Sequence, residues 1–174
     1  MTRILQTCLA AIAACLLSAA TVPVVHAATE AQSAAASLDL AIVVNPATPI
    51  DKLTFAELRE VFLGNRQYWS PDMPVVLLIR APTSAERDAV LNIIYRMKEP
   101  QFKQYWIAKI FRADLSSPPK IVYSNDAANA IVQNVPGAIA FIPARDVRPG
   151  LKVLRIDGRL PGDPGYPLHL TSRK

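Results

Sequence analysis

The residues best placed to bind a ligand follow an apolar run, VVLLI, at positions 75–79. The run predicts a strand that is buried on both faces and ends at Arg80. An apolar stripe at helical spacing predicts a helix soon after it: Val90, Ile93, Ile94 and Met97. Thr83 and Glu86 have the spacing of a capping box, and Thr83 and Ser84 place hydroxyl groups at the helix start. Free N–H groups and the positive end of the helix dipole favour an anion there. The alternative is that Thr83 and Ser84 only cap the helix and Arg80 is a surface charge.

Residues suited to catalysis or metal binding are sparse. His169 is the only histidine after residue 27, which argues against a Ser-His-Asp triad and excludes a site of several histidines. The sequence contains no GxGxxG or Walker A motif. Asp157 and Asp163 flank predicted turns, and turn formation explains them. We therefore expect a binding protein without metal or cofactor, and a hydrolase of phosphorylated or cell-wall substrates is the less favoured alternative.

Residues 1–27 have the pattern of a secretory signal peptide. Arg3 precedes an apolar stretch at 4–18, and the sequence Val-His-Ala at 25–27 resembles a cleavage site. A transmembrane anchor is the weaker alternative, because Ala, Ser and Thr dilute the segment and Pro23 interrupts it.

Both cysteines, Cys8 and Cys15, lie in this predicted signal peptide. Residues 12–15 resemble a lipobox, but the residues after Cys15 stay apolar, so lipoprotein anchoring is less favoured. Removal of residues 1–27 leaves no cysteine and therefore no disulfide or thiolate site. Export without disulfides is normal for a bacterial periplasmic protein that can build its own core. We expect a periplasmic location, with no membrane insertion after cleavage.

The remaining chain alternates strands with helices. Residues 28–37, rich in Ala and Ser, predict a disordered leader, and residues 38–174 predict one domain. Helices are predicted from Thr54, Thr83, Glu99 and Asn125, and strands at 38–44, 75–79, 121–123, 138–142 and 152–156. This alternation predicts an α/β fold whose mixed, mainly parallel sheet is flanked by helices.

The same patterns predict which sides of the helices pack. In the first helix, Glu57 would complete a capping box and Gly64 would occupy the C′ position. The third helix carries an aromatic and apolar face, which predicts core more than a sugar-stacking surface: Phe102, Tyr105, Trp106 and Ile110. The fourth helix carries small and apolar residues on one side: Ala127, Ala130, Ile131 and Asn134. Residues 65–73 predict a polar loop.

The charge pattern indicates what kind of partner to expect. The formal net charge is +5, but the basic residues are scattered, with no run of five or more. Such a distribution does not indicate a nucleic-acid surface. A modest positive balance is compatible with a small anionic ligand.

Four segments together resemble the phosphate-binding periplasmic components of ABC transporters, within the type 2 periplasmic-binding-protein-like superfamily. In chain order they are LAIVVNPATPIDKLTFAELREVFLGNRQYW at 40–69, VVLLIRAPTSAERD at 75–88, SNDAANAIVQNVPGAIAFIP at 124–143, and KVLRIDG at 152–158 with GYPL at 165–168. They span nearly all of the chain after the leader. The resemblance implies one lobe of this fold and a phosphate or similar oxyanion as ligand.

The resemblance also implies which residues contact the anion. Arg80 matches the arginine that grips phosphate in the family, and Ser84 matches the serine of the Ser-Gly-Thr turn after it. Ala85 and Glu86 stand where the family has Gly and Thr, so a hydroxyl is lost and a carboxylate is added. Thr83 could replace the lost hydroxyl.

Two further residues complete the predicted ligand set. Arg87 could offset the charge of Glu86, and Asn125, at the start of another helix, is a weaker candidate. The predicted ligand-binding residues are therefore Arg80, Thr83, Ser84, Ala85, Glu86, Arg87 and Asn125.

The chain is about half the size of a typical family member, in which the ligand lies between two lobes. Half of the usual ligand shell would then be absent. The resemblance implies an ABC permease as partner. The alternative function is a periplasmic interaction module that kept the fold, lost the ligand and binds another protein or itself.

Overall fold

The structure, a computed structural model, describes residues 39–115 and 117–170. The predicted signal peptide at 1–27 and the whole of the predicted leader at 28–37 lie outside the described residues. The strands are β1 Leu40–Val44, β2 Lys52–Leu53, β3 Tyr68–Ser70, β4 Met73–Pro74, β5 Val76–Arg80, β6 Lys120–Val122, β7 Ala138–Pro143, β8 Lys152–Val153 and β9 Arg155–Ile156. The α-helices are α1 Phe55–Phe62, α2 Ala85–Val90, α3 Glu99–Phe111 and α4 Asn125–Asn134. A π-helical stretch, Leu91–Tyr95, continues directly from α2, and a 3₁₀-helix, Ala144–Asp146, follows β7.

Five of these strands form the central sheet, in the order β6-β5-β7-β1-β8. β5 is parallel to β6 and β7, whereas β1 is antiparallel to both of its neighbours, β7 and β8. Four strands therefore point one way and β1 points the other. The predicted α/β fold with a mixed, mainly parallel sheet is confirmed.

Helices cover both faces of the sheet and make two core clusters. Leu40, Ile42 and Ile79 face the cluster built with α1, α2 and α3. Val43 and Leu78 face the cluster built with α4. Because both faces are covered, all five residues of β1 are buried, which explains why its sequence is continuously apolar.

The first helix follows its sequence signals closely. The Thr54 side chain accepts a hydrogen bond from the Glu57 backbone, and the Glu57 carboxylate accepts one from the Thr54 backbone at 2.7 Å. Gly64 follows the C-cap residue Leu63 with a positive φ of 68°. The predicted capping box and C′ glycine are both confirmed.

The predicted loop at 65–73 is wrong in part, because it contains the β3–β4 hairpin. Trp69 is buried in this hairpin, and its indole N–H donates to the carbonyl of Gly137 at 2.8 Å. Three-residue and two-residue strands separated by a tight turn have too little periodicity to be seen in a sequence. The predicted last strand at 152–156 is likewise two short strands, since β8 pairs with β1 and β9 pairs with β2.

Two predicted helix faces need correction. Phe102 and Trp106 of α3 are buried as predicted, but Ile110 is 53% exposed. On α4 the buried residues are Ala128, Asn129 and Val132. Of the predicted set, Ile131 is partly buried and packs against the same core cluster, whereas Ala130 and Asn134 are exposed. Small residues are compatible with either side of a helix, so packing against the sheet decides which side is buried.

The segment after β9 forms no helix or strand through residue 170, yet hydrogen bonds attach it to the rest of the domain. Tyr166 is buried and donates its hydroxyl to the Leu40 carbonyl at 2.7 Å. The Asp39 carboxylate accepts hydrogen bonds from the Gly162 backbone N–H at 2.7 Å and contacts the His169 ring at 2.5 Å. His169 therefore has a structural partner.

Candidate functional site

The predicted binding residues lie where β5 and β6 end, at the same edge of the sheet. Because residues alternate along a strand, Arg80 points to the face of Leu78, which α4 covers. Its Nη1 lies 3.5 Å from the carbonyl oxygen of Val122, the last residue of β6. Its Nε is buried and has no hydrogen-bond partner in the structure. Arg80 is thus a half-buried cation with an unused donor beside the start of α4.

The start of α2 differs from the predicted capping box between Thr83 and Glu86. Ser84 is the N-cap, and its hydroxyl accepts the N–H of Arg87 at 3.1 Å. Thr83 lies outside the helix with a φ of 74°, in the left-handed region. The prediction of a Thr83 box was wrong, because an N-cap residue has an extended backbone, which Ser84 has and Thr83 does not.

The free groups at this helix start are backbone amides and hydroxyls. Within the described residues, the N–H groups of Ala85 and Glu86 make no hydrogen bond. The hydroxyl of Thr83 is exposed with its residue. N–H groups at a helix start favour an anionic acceptor.

Arg87 does not face the solvent beside Glu86, contrary to the predicted charge compensation. Its guanidinium makes two hydrogen bonds to the Glu99 carboxylate, at 2.9 and 3.0 Å, and one to the Arg80 carbonyl at 2.7 Å. The same group stacks over the Phe102 ring. These bonds lower the pKa of Glu99 from its usual value. Arg87 therefore joins α2 to α3 and to the end of β5.

Asn125 links the two helix starts to the segment after β7. Its Nδ2 donates to Asp146 at 2.9 Å and lies 3.4 Å from a Glu86 carboxylate oxygen. Its Oδ1 is buried without a hydrogen-bond partner in the structure. Of the predicted ligand residues, the structure therefore brings Asn125 and Glu86 into contact.

Two residues of this network were missed from the sequence. Asn129, one turn after Asn125, donates to the carbonyls of Asn125 and Asp146, both at 2.9 Å, and accepts the N–H of Arg148. Asp146 follows β7 by three residues and has no motif around it. The only sequence signal that could have indicated Asn129 is its spacing of one helical turn from Asn125.

The edge therefore carries charges of both signs. Arg80 supplies a positive charge with a free donor. Glu86 and Asp146 supply carboxylates, both of which contact the side-chain amide of Asn125. The arrangement offers hydrogen-bond donors to a bound solute, and it contains no nucleophile paired with a base.

No helix within residues 39–115 and 117–170 is long and apolar enough to cross a membrane. No protein-family model matches the sequence.

Three solved structures are similar to this chain. An ABC-type phosphate transport receptor from Vibrio cholerae has a TM-score of 0.57 and 23% identity, covering 71% of this chain and 48% of that chain. A substrate-binding protein from Clostridium perfringens, attributed to a phosphate ABC transporter and solved with bound phosphate, has a TM-score of 0.57 and 20% identity, with coverages of 71% and 46%. PstS from Borrelia burgdorferi has a TM-score of 0.53 and 18% identity, with coverages of 71% and 49%. The chain therefore has the fold of about half of each of these phosphate-receptor structures.

Proposed function

We propose that this protein binds a small oxyanion, with phosphate as the first candidate, at the edge where β5 and β6 end. The observation that carries the proposal is Arg80, whose Nε is buried without a partner next to two helix starts. An unused buried donor on a cation costs free energy, and an anionic acceptor that reaches Nε after a shift of the Arg80 side chain would remove that cost.

The bound anion would accept hydrogen bonds from Arg80 and from groups at the start of α2. Arg80 would pair with its charge, and the hydroxyls of Thr83 and Ser84 and the N–H groups of Ala85 and Glu86 would donate to its oxygens. Asn125 would hold Glu86 in place and contribute its own amide after a rearrangement. Arg87 would act through the position of the Arg80 backbone, since its guanidinium bonds to Glu99.

The role we propose is that of a solute-binding component, without enzymatic activity, related to those of phosphate ABC transporters. Two similar structures are described as parts of such transporters. Export by the predicted signal peptide would place the protein in the periplasm, where an ABC permease would be its partner.

The second candidate is a periplasmic interaction module that has kept the fold and lost the ligand. The Glu86 carboxylate favours it, because a negative charge within about 4 Å of a bound anion costs up to a few kcal/mol in a partly buried site.

Isothermal titration of the purified protein with phosphate, sulfate and molybdate separates the two candidates. We expect heat with at least one oxyanion, and about 10- to 100-fold weaker binding after Arg80→Ala. Arg155→Ala is the matched control, because Arg155 is exposed and lies on β9, which pairs with β2 and is not part of the central sheet. No heat with any oxyanion at millimolar concentration would favour the interaction module.

Glu86 provides a test in the opposite direction. Glu86→Thr removes the carboxylate and restores a hydroxyl, so binding should tighten by about tenfold. Unchanged affinity in this variant would mean that the anion does not lie near the start of α2.

A further inference from the structure

Helix α3 is apolar on two sides, although only one side faces the core. Phe102 and Trp106 are buried against the rest of the domain. On the other side, Ile107, Ile110 and Phe111 are exposed by 53%, 53% and 87%. Their spacing of three and four residues puts them in a single stripe along the helix. An exposed apolar stripe of this kind indicates a contact surface.

We propose that this stripe, Ile107, Ile110 and Phe111, packs against the same stripe of a second copy of the chain, with the two α3 helices antiparallel. A two-fold axis between Ile107 and Ile110 would place Ile107 of one copy against Ile110 of the other, and the reverse. Such a contact is self-complementary, as a two-fold interface must be. The surface lies on α3, away from the oxyanion edge, so it is independent of the proposed function.

The charges next to the stripe favour a second copy in this orientation. Lys103 precedes Ile107 by one turn and is 62% exposed. In an antiparallel pair it would lie over the last turn of the other helix, whose free carbonyls are the negative end of the dipole. Asp114 follows that end of the helix and is 46% exposed, so its carboxylate could pair with Lys103 of the other copy. The Phe111 ring could also accept a cation–π contact from that lysine. A parallel pair would instead bring Lys103 against itself.

The present partners of these charges do not prevent the rearrangement. Lys103 lies 3.9 Å from Glu99, and Asp114 accepts from Arg112 at 2.8 Å, both at exposed positions. Exposed ion pairs of this kind contribute little free energy. Lys103 and Asp114 can therefore exchange partners on association.

The length of α3 sets the strength of the contact. Its 13 residues span about 20 Å, so a contact along one side of this helix buries less than the roughly 800 Å² per partner that is typical of a stable interface. The dimer is therefore expected to be weak and to form with rising concentration.

Sedimentation velocity on the purified protein, from about 5 to 500 µM, tests the association. We expect the weight-average sedimentation coefficient to rise from monomer to dimer. Ile107→Lys should weaken association by at least about tenfold. Ile121→Lys is the matched control, because Ile121 on β6 is also an isoleucine that is 53% exposed.

Charge exchange tests the antiparallel orientation. Lys103→Glu should weaken the dimer by a few-fold, and the double variant Lys103→Glu with Asp114→Lys should restore it. A wild-type protein that stays monomeric at the highest concentration overturns the proposal, as does an oligomer larger than a dimer. Equal effects of the two isoleucine variants, or no rescue in the double variant, also overturn it.

Discussion

Gly137 offers a sharp test of how the hairpin and the central sheet are held together. Its φ is 77°, and a Cβ built on it would lie 2.1 Å from the carbonyl oxygen of Pro74. Its own carbonyl accepts from the Trp69 indole at 2.8 Å and from the Val76 backbone at 3.0 Å. Gly137→Ala must therefore move the backbone at Pro74, because backbone atoms cannot rotate away.

The size of the effect follows from these contacts. A left-handed conformation in alanine costs about 1–2 kcal/mol. Weakening two hydrogen bonds at the Gly137 carbonyl adds about 0.5–1.5 kcal/mol for each. We expect Gly137→Ala to lower the free energy of unfolding by about 2–5 kcal/mol in total.

Gly158→Ala is the matched control. Gly158 has nearly the same φ, 79°, but a Cβ there meets no atom within 4 Å. Only the backbone cost should appear, at about 1–2 kcal/mol. Urea unfolding of both variants, followed by tryptophan fluorescence, gives the two free energies. Equal losses would refute the reasoning that contact with Pro74 makes Gly137 irreplaceable.

Three further variants test the polar contacts. Arg87→Met removes the guanidinium that bonds to the Glu99 carboxylate. In wild type the pKa of Glu99 is lowered, so the pair stabilises the fold above the usual carboxyl pKa of 4.5, and this stabilisation is lost as pH falls below it. The free energy of unfolding of the variant, measured in urea, should therefore depend less on pH between about pH 5 and 3. Tyr166→Phe removes a buried hydrogen bond and should cost about 1 kcal/mol; burial raises the pKa of Tyr166, so wild-type stability should fall as pH rises past 10 and the variant should lose less. Asn129→Ala removes three hydrogen bonds, two of which join α4 to the segment after β7, and should lower the free energy of unfolding by about 1–3 kcal/mol in thermal and urea unfolding.

Elements with local determinants could be predicted from the sequence. The box between Thr54 and Glu57 starts α1 because both hydrogen bonds join residues three apart. Residues 76–80 form β5 because a continuous apolar run is stable only between two packed layers. Pro100 lies in the first turn of α3, where its missing N–H has no intrahelical acceptor to lose.

Features that depend on distant neighbours could not be predicted. Thr83 and Ser84 are both capping residues, and only the path of the chain from β5 decides that Ser84 begins α2. Ile110 is apolar, but no element of the described domain covers it. In both cases the residue type allows two outcomes with similar local free energy.

The sequence by itself determined the fold class, the order of the longer strands and the α-helices along the chain, and the position of Arg80 at the end of a buried strand, because these depend on residue types and short spacings. Only the tertiary structure decided that Arg87 bonds to Glu99, that Asn125 joins Glu86 to Asp146, and that the Nε of Arg80 has no partner. Those contacts join residues 12 to 39 positions apart. No local preference specifies which donor meets which acceptor over such distances; the packing of α2, α3 and α4 on the sheet does.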